Sequence, residues 1–138
     1  MRQIEFRGKL LNTNVWIYGN LRIHFVDGDF EQENSKYFIE YNYIDKLGKV
    51  HRDSYEVDAS TIGQFTGLVD KNGIKIYEGD IIKGKEWERG ISHRHIGIVE
   101  YINSSFRSVG INKYLGFHGS VDGSYEVIGN IFDRRTKK

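Results

Sequence analysis

Leu21, Ile23 and Phe25 alternate with Arg22 and His24, a two-residue period that puts apolar side chains on one face of a strand. Asp27-Gly28 ends that strand, and Glu31 to Lys36 reads as a polar, exposed loop. The same period returns in Tyr37, Ile39, Tyr41 and Tyr43 and predicts a long strand to Ile44, rich in residues that favour sheets. Asp45-Lys46-Leu47-Gly48 turns the chain, and Val50 to Val57 comes back as the partner strand, with Arg52, Ser54 and Glu56 alternating against His51, Asp53, Tyr55 and Val57. Nearer the start, Ile4 and Phe6 and then Val15-Trp16-Ile17-Tyr18 flank the polar Asn12-Thr13-Asn14, which predicts an opening hairpin.

The second half is punctuated by glycine. Asp70-Lys71-Asn72-Gly73 lies between Gly67-Leu68-Val69 and Ile74-Lys75-Ile76-Tyr77, and Asn-Gly between two such runs is a strong hairpin signal because Gly73 supplies the positive φ the turn needs. Glu78-Gly79-Asp80 is a second turn, with Asp80 as a local acceptor for backbone N–H groups, and Ile81-Ile82-Lys83 leaves it as a strand ended by Gly84. Asp58 or Ser60 caps one helical turn over Ala59 to Gln64, too short to stand alone. Lys85 to His95 reads as a long polar excursion between strands. Ile96–Ile102 and Ser105–Ile111 are strands around Asn103-Ser104, Gly116–Gly123 is a Gly-rich loop containing His118, and Tyr125–Phe132 closes the set. Many short strands with no sustained 3.6-residue period argue an all-β barrel or sandwich.

The run IGQFTGLVDKNGIKIYEGDII, GIVEY at Gly97–Tyr101 and YEVIGNIF at Tyr125–Phe132 strongly resemble the YopX family of phage and prophage proteins. Arg2-Gln3-Ile4-Glu5-Phe6-Arg7 and Trp16-Ile17-Tyr18-Gly19 are similar to that family's opening, so the resemblance spans nearly the whole chain. It implies a mostly β protein with a small barrel and no known activity. The resulting expectation is all-β: a small SH3-like barrel over about 58–132, an N-terminal antiparallel sheet over about 1–57, at most one short helical turn, and a basic tail at 133–138. One cooperative unit is expected.

The 138 residues, 38% hydrophobic and 14% aromatic, suit one folded domain with a real core. Cysteine is absent, which excludes disulfides, thiol catalysis and cysteine-based zinc sites. With no basic segment leading an apolar run and no membrane-length stretch, a cytoplasmic protein of a bacterial host is expected. Net charge is +1, too little for an overall field that gathers a polyanion. The first 60 residues carry 8 Lys/Arg against 10 Asp/Glu and the rest 12 against 9, an excess that belongs to the tail, Asp133-Arg134-Arg135-Thr136-Lys137-Lys138. Such a terminal run is ordinarily just a solvated end. The chain contains no proline, so one common protection of edge strands is missing and edges are either paired or used for association.

Candidate chemistry is thin. His93-x-His95, with His24, His51 and His118 elsewhere, offers imidazoles for a metal-assisted hydrolase, but in this reading no acid stands at a ligand-like spacing and both lie in a polar loop, so they read as surface histidines. Glu78 and Asp80 lack an environment that would separate their acidities. Gly84-Lys85 lacks the rest of a phosphate loop, and Ser104, Ser105 and Ser108 have no assigned base. No enzyme, cofactor or metal is expected. What remains is a surface: Trp87, Tyr101, Phe106 and Tyr114 interleave with Lys85, Arg89, Arg94, Arg107 and Lys113, and aromatics among cations suit stacking on exposed bases. Against that, Tyr101 and Phe106 can fill the core while Glu86, Glu88 and Glu100 balance the cations. The expectation is therefore a non-enzymatic phage or prophage accessory protein that binds another protein or itself. The alternative is a nucleic-acid-binding barrel using Trp87, Arg89, Arg94, Arg107 and Lys113. The structural turn motif is Asn72, Gly73, Gly79 and Asp80.

Overall fold

The computed structural model describes residues 3–25 and 35–133. Arg2, Asp27-Gly28, the loop from Glu31 to Asn34 and the basic run after Asp133 lie outside the described residues. In chain order the strands are β1 (Phe6–Lys9), β2 (Trp16–His24), β3 (Lys36–Ile44), β4 (Val50–Val57), β5 (Gly63–Val69), β6 (Lys75–Tyr77), β7 (Asp80–Glu88), β8 (Ile91–Ile102), β9 (Ser105–Gly110), β10 (His118–Ser120) and β11 (Glu126–Asn130). Every strand pair is antiparallel, and the only helical elements among the described residues are 3-10 turns at Ala59–Thr61 and Asn112–Tyr114. The chain is mainly β. The second 3-10 turn was not signalled by the sequence, since Ile111 caps it without a side-chain hydrogen bond.

The chain divides into two compact units within β5, between Gln64 and Phe65. In the first, strands lie in the order β4-β3-β2-β1, with the start of β5 beside β1. The run from Trp16 to His24 is one strand, where the sequence pattern reads two. The long pair β3–β4 keeps register from Tyr37↔Val57 to Ile44↔Val50, and Ile39 and Val57 are its buried apolar residues. Thr61 ties the 3-10 turn to the sheet: the Lys9 N–H donates to Thr61 Oγ1 at 2.8 Å, and the Thr61 hydroxyl donates to the Asp58 carbonyl at 2.6 Å. Asp58 is the cap, accepting from the Ser60 N–H at 3.0 Å, and the turn stops at Thr61 because Gly63 and Gln64 are already paired with β1.

In the second unit the order is β10-β9-β8-β7-β11, with β6 beside the rest of β5. Closure into a barrel is not part of the observed pairing; the edge strands β10 and β11 have three and five residues and join no further strand of that sheet. Ile76, Ile82, Val99 and Tyr125 form the buried cluster, with Phe106, Val121 and Val127 packed on it. Gly84 does not end β7, contrary to the sequence reading. Its missing side chain makes room for the Tyr125 ring, two carbons of which would lie 2.9 Å from a Cβ there, and the strand runs on to Glu88.

The excursion expected over Lys85–His95 is instead a hairpin. β7 and β8 pair through Gly84↔His95, Lys85↔Arg94, Glu86↔His93, Trp87↔Ser92 and Glu88↔Ile91. Arg89 and Gly90, both at positive φ (51° and 80°), make the two-residue turn, a conformation whose twist matches that of the flanking strands. Arg-Gly is a less familiar signature of this turn than Asn-Gly. β11 accompanies β7 only as far as Lys83 and β9 accompanies β8 only from Gly97, so residues 84–96 form a two-stranded ribbon that outruns its neighbours. The Gly-rich stretch 116–123, read as loop, contains β10, which pairs His118↔Val109 and Ser120↔Arg107.

Candidate interaction surfaces

Asp70 and Asp80 organise the two turns the sequence singles out. The Asp70 carboxylate is buried and accepts from the N–H groups of Asn72 (2.7 Å) and Ile74 (2.9 Å), and with its other oxygen from Val127 (2.9 Å). Burial by itself raises its pKa, but the Val127, Ile74 and Asn72 donors and nearby Lys71 outweigh burial and hold the carboxyl below its ordinary value. Asp80 accepts from the Tyr77 N–H at 2.8 Å, a local backbone role, and Gly73 and Gly79 sit at φ 82° and 89°.

The histidine pair departs from its reading. His93 and His95 are on β8, and the hairpin brings Glu86, seven residues from His93 in sequence, directly opposite it. His95 is buried, with Nε2 3.0 Å from Ser108 Oγ and 3.2 Å from the Ser108 carbonyl oxygen. The Ser108 carbonyl only accepts and its hydroxyl can donate or accept, so both contacts are hydrogen bonds in the tautomer that carries the proton on Nε2. Glu86 accepts from the Tyr125 hydroxyl. Burial, then the Glu86 hydrogen bond and charge, push the Tyr125 phenol well above the usual tyrosine range. Among the described residues no group of three or more His, Cys, Asp or Glu is placed to hold a metal ion. These side chains hold the ribbon to the core.

The five residues proposed as a binding surface do not converge on one spot. Trp87, Arg94 and Lys113 line a groove of about 540 Å³ with His95, Tyr114 and Phe117. Arg89 is in the ribbon's turn. Arg107 is on β9, opposite Glu100 and Ser120, and Glu100 lies six residues along β8 from Arg94, about 20 Å at the rise of a strand. Phe106 packs on the core while Tyr101, edge-on to it at 4.9 Å, is exposed.

Lys85, one of the cations interleaved with aromatics in the sequence, joins Arg94 on the outer face together with two cations outside that set, Lys71 and Lys83. Lys71, Lys83, Lys85 and Arg94 surround a shallow depression of about 280 Å³ together with Ser124 and Glu126. The Glu126 carboxylate is 3.8 Å from both the Lys71 and the Lys83 ammonium. Trp87 follows Lys85 on the same face of β7 and is 72% exposed. The only sequence signal was the alternation Lys83-x-Lys85-x-Trp87, hidden while Gly84 was read as a stop.

A second surface lies in the first unit. β3 continues past its last partner on β2, Glu40↔Asn20, to Ile44, so the β3–β4 hairpin also projects. Asp45 Oδ1 accepts from the N–H groups of Leu47 and Lys49, both at 2.9 Å, and its Oδ2 lies 2.7 Å from His51 Nε2. His51, then the Lys49 N–H, hold the Asp45 carboxyl below its ordinary value. The His51 ring stacks on Tyr43 at 4.8 Å and Tyr43 on Tyr41 at 5.7 Å. This braced turn holds Leu47 93% exposed, beside the register pair Ile44 and Val50 at 71% and 58%.

A family model described as YopX protein matches residues 5–135. The chain belongs to the YopX family. Among solved structures the YopX-family chain is similar to protein EF1440 from Enterococcus faecalis, at 22% identity and a TM-score of 0.53, with 95% of this chain and 94% of that one covered. That likeness is one of fold. No curated protein matches. No helix among the described residues is long and apolar enough to cross a membrane.

Proposed function

We propose that this YopX-family protein is a non-enzymatic binding module that docks on other protein chains, a second copy included, through the tip of the β3–β4 hairpin. One observation carries the reading: Ile44, Leu47 and Val50 stand together in solvent on a turn fixed by Asp45. Scattered exposed apolar residues are ordinary, but three of them within seven residues, at a turn braced by Asp45, have the character of a contact surface. Behind it, β4 is the end strand of its sheet. Leu10 and Leu11 reach only its last residues, Val57 and Glu56, which leaves Val50 to Tyr55 as an edge for strand addition among the described residues. The phage or prophage setting, action in the host cytoplasm and homo-oligomerisation belong to this proposal and extend the family resemblance.

The test is Leu47→Glu on the full chain, with light scattering after size exclusion to read self-association and affinity capture from the host to read bound proteins. The reading requires the variant to lose the oligomer or the captured proteins that the parent retains. An unchanged oligomer and an unchanged capture set would overturn it.

A further inference from the structure

The outer face of the second unit carries a charge arrangement that its own fold does not balance. Lys85 and Arg94 are directly opposite each other across β7 and β8, where like charges repel and destabilise a sheet. Among the described residues neither has a carboxylate within ion-pair distance, while Glu126 faces both Lys71 and Lys83 at 3.8 Å. Four cations thus surround one acid at a depression of about 280 Å³. An anion seated there would turn the repulsion into attraction, whereas the fold alone gains nothing from it.

The neighbouring residue narrows the class of anion. Lys83, Lys85 and Trp87 point to the same side of β7 at every second position, roughly 7 Å apart by strand geometry, so the cations form a line that ends in an exposed indole. A lone phosphate or a phosphorylated side chain needs the cations and has no use for the indole. A strand of nucleotides uses both: phosphates follow the cations and an unpaired base stacks on the aromatic face. A paired duplex hides its base faces and would leave the indole without a partner.

We propose that this face of β7, β8 and β11 is a single-stranded nucleic-acid site, with Lys71, Lys83, Lys85 and Arg94 on the backbone phosphates and Trp87 stacked on a base. It lies in a different unit from the hairpin tip of the protein-docking proposal, so the two stand or fall separately. Arg107, about 20 Å along the sheet from Arg94, is outside the site. Of the residues singled out from the sequence, the site uses Lys85, Trp87 and Arg94.

The experiment is fluorescence anisotropy of a labelled oligothymidylate of about 12 nucleotides, within the usual site size of a small β domain, titrated with the full-length protein from low to moderate salt. Binding should weaken linearly in log salt, with a slope of about 0.7 per phosphate neutralised. Lys85→Glu with Arg94→Glu should abolish binding. Trp87→Ala should weaken it roughly 5- to 150-fold, the usual worth of one stacked base, and Trp87→Phe should restore most of that. Arg107→Glu and Leu47→Glu should leave it unchanged. No anisotropy change at low salt, equal loss with Arg107→Glu, or indifference to Trp87→Ala would each overturn the proposal. So would a preference for anionic phospholipid vesicles that outcompetes the oligonucleotide.

Discussion

The Tyr125 hydroxyl donates to the Glu86 carboxylate from a ring that is buried in the core of the second unit. Glu86 is on the ribbon, three residues past the last β7 residue that β11 accompanies, so this bond anchors an arm that its neighbouring strands do not hold. The ring fills the space a Gly84 side chain would take, and the hydroxyl and its Glu86 partner fill the space a Gly119 side chain would take, so the pair is packed against both strands. Tyr125→Phe should cost about 2 kcal/mol, in the range for a hydrogen bond to a charged partner. Urea unfolding with an unchanged slope would register it as a shift in midpoint. A double-mutant cycle with Glu86→Gln should show coupling, and additivity of the two changes would refute the anchor.

Lys85 opposite Arg94 makes a second prediction, with opposite signs in its two readouts. Arg94→Glu converts a repulsive cross-strand pair into an attractive one and should stabilise the fold by about 0.2–1 kcal/mol, the usual scale of such pairs. The same change should weaken oligonucleotide binding. A protein that became both more stable and less able to bind would display a surface arranged for a ligand at the expense of the fold. If stability fell, the repulsion inferred from the register would be absent.

How much of this was legible follows from what local sequence can encode. The strands from Tyr37 to Ile44 and Val50 to Val57 and the Asp70 turn were readable because side-chain alternation and turn chemistry are local signals. The ribbon was not. Gly84 reads as a terminator when its partner is unknown, and only Tyr125, far along the chain, shows that the missing side chain is a matter of space. The same blindness hid the basic face: Lys71, Lys83 and Arg94 come from a turn and two strands, and register rather than proximity in sequence assembles them. His95 looked like a surface residue because its neighbours are charged, yet strand alternation turns it inward to Ser108.

Asp70 carries the pH prediction. Its folded pKa lies below its ordinary value of 3.8, so the unfolded chain takes up the proton first as pH falls. The stabilisation is complete above about pH 4 and is lost as pH drops through the folded value. Asp70→Ala leaves the Asn72, Ile74 and Val127 N–H groups without this acceptor and should cost about 3 kcal/mol at pH 7. The gap between parent and variant in denaturant midpoint should narrow from pH 5 to pH 3. A gap independent of pH would mean that the charge of Asp70 contributes nothing.

Gly84→Ala tests the close approach that lets β7 continue. A Cβ there would stand 2.9 Å from two ring carbons of Tyr125, closer than van der Waals contact allows, and the ring is buried and cannot swing aside. Two effects oppose each other. Removing a glycine from a strand interior gains about 0.5–1 kcal/mol by restricting the unfolded chain, while overpacking a filled core costs about 1–3 kcal/mol. The clash is with the body of a core side chain and not with a flexible end, so the loss should win and the variant should be destabilised by about 1–2 kcal/mol. The damage should concentrate in the ribbon, because a displaced Tyr125 ring takes its hydroxyl away from Glu86. Amide exchange in residues 85–95 should therefore accelerate more than exchange in β9, a contrast that uniform destabilisation of the unit would erase.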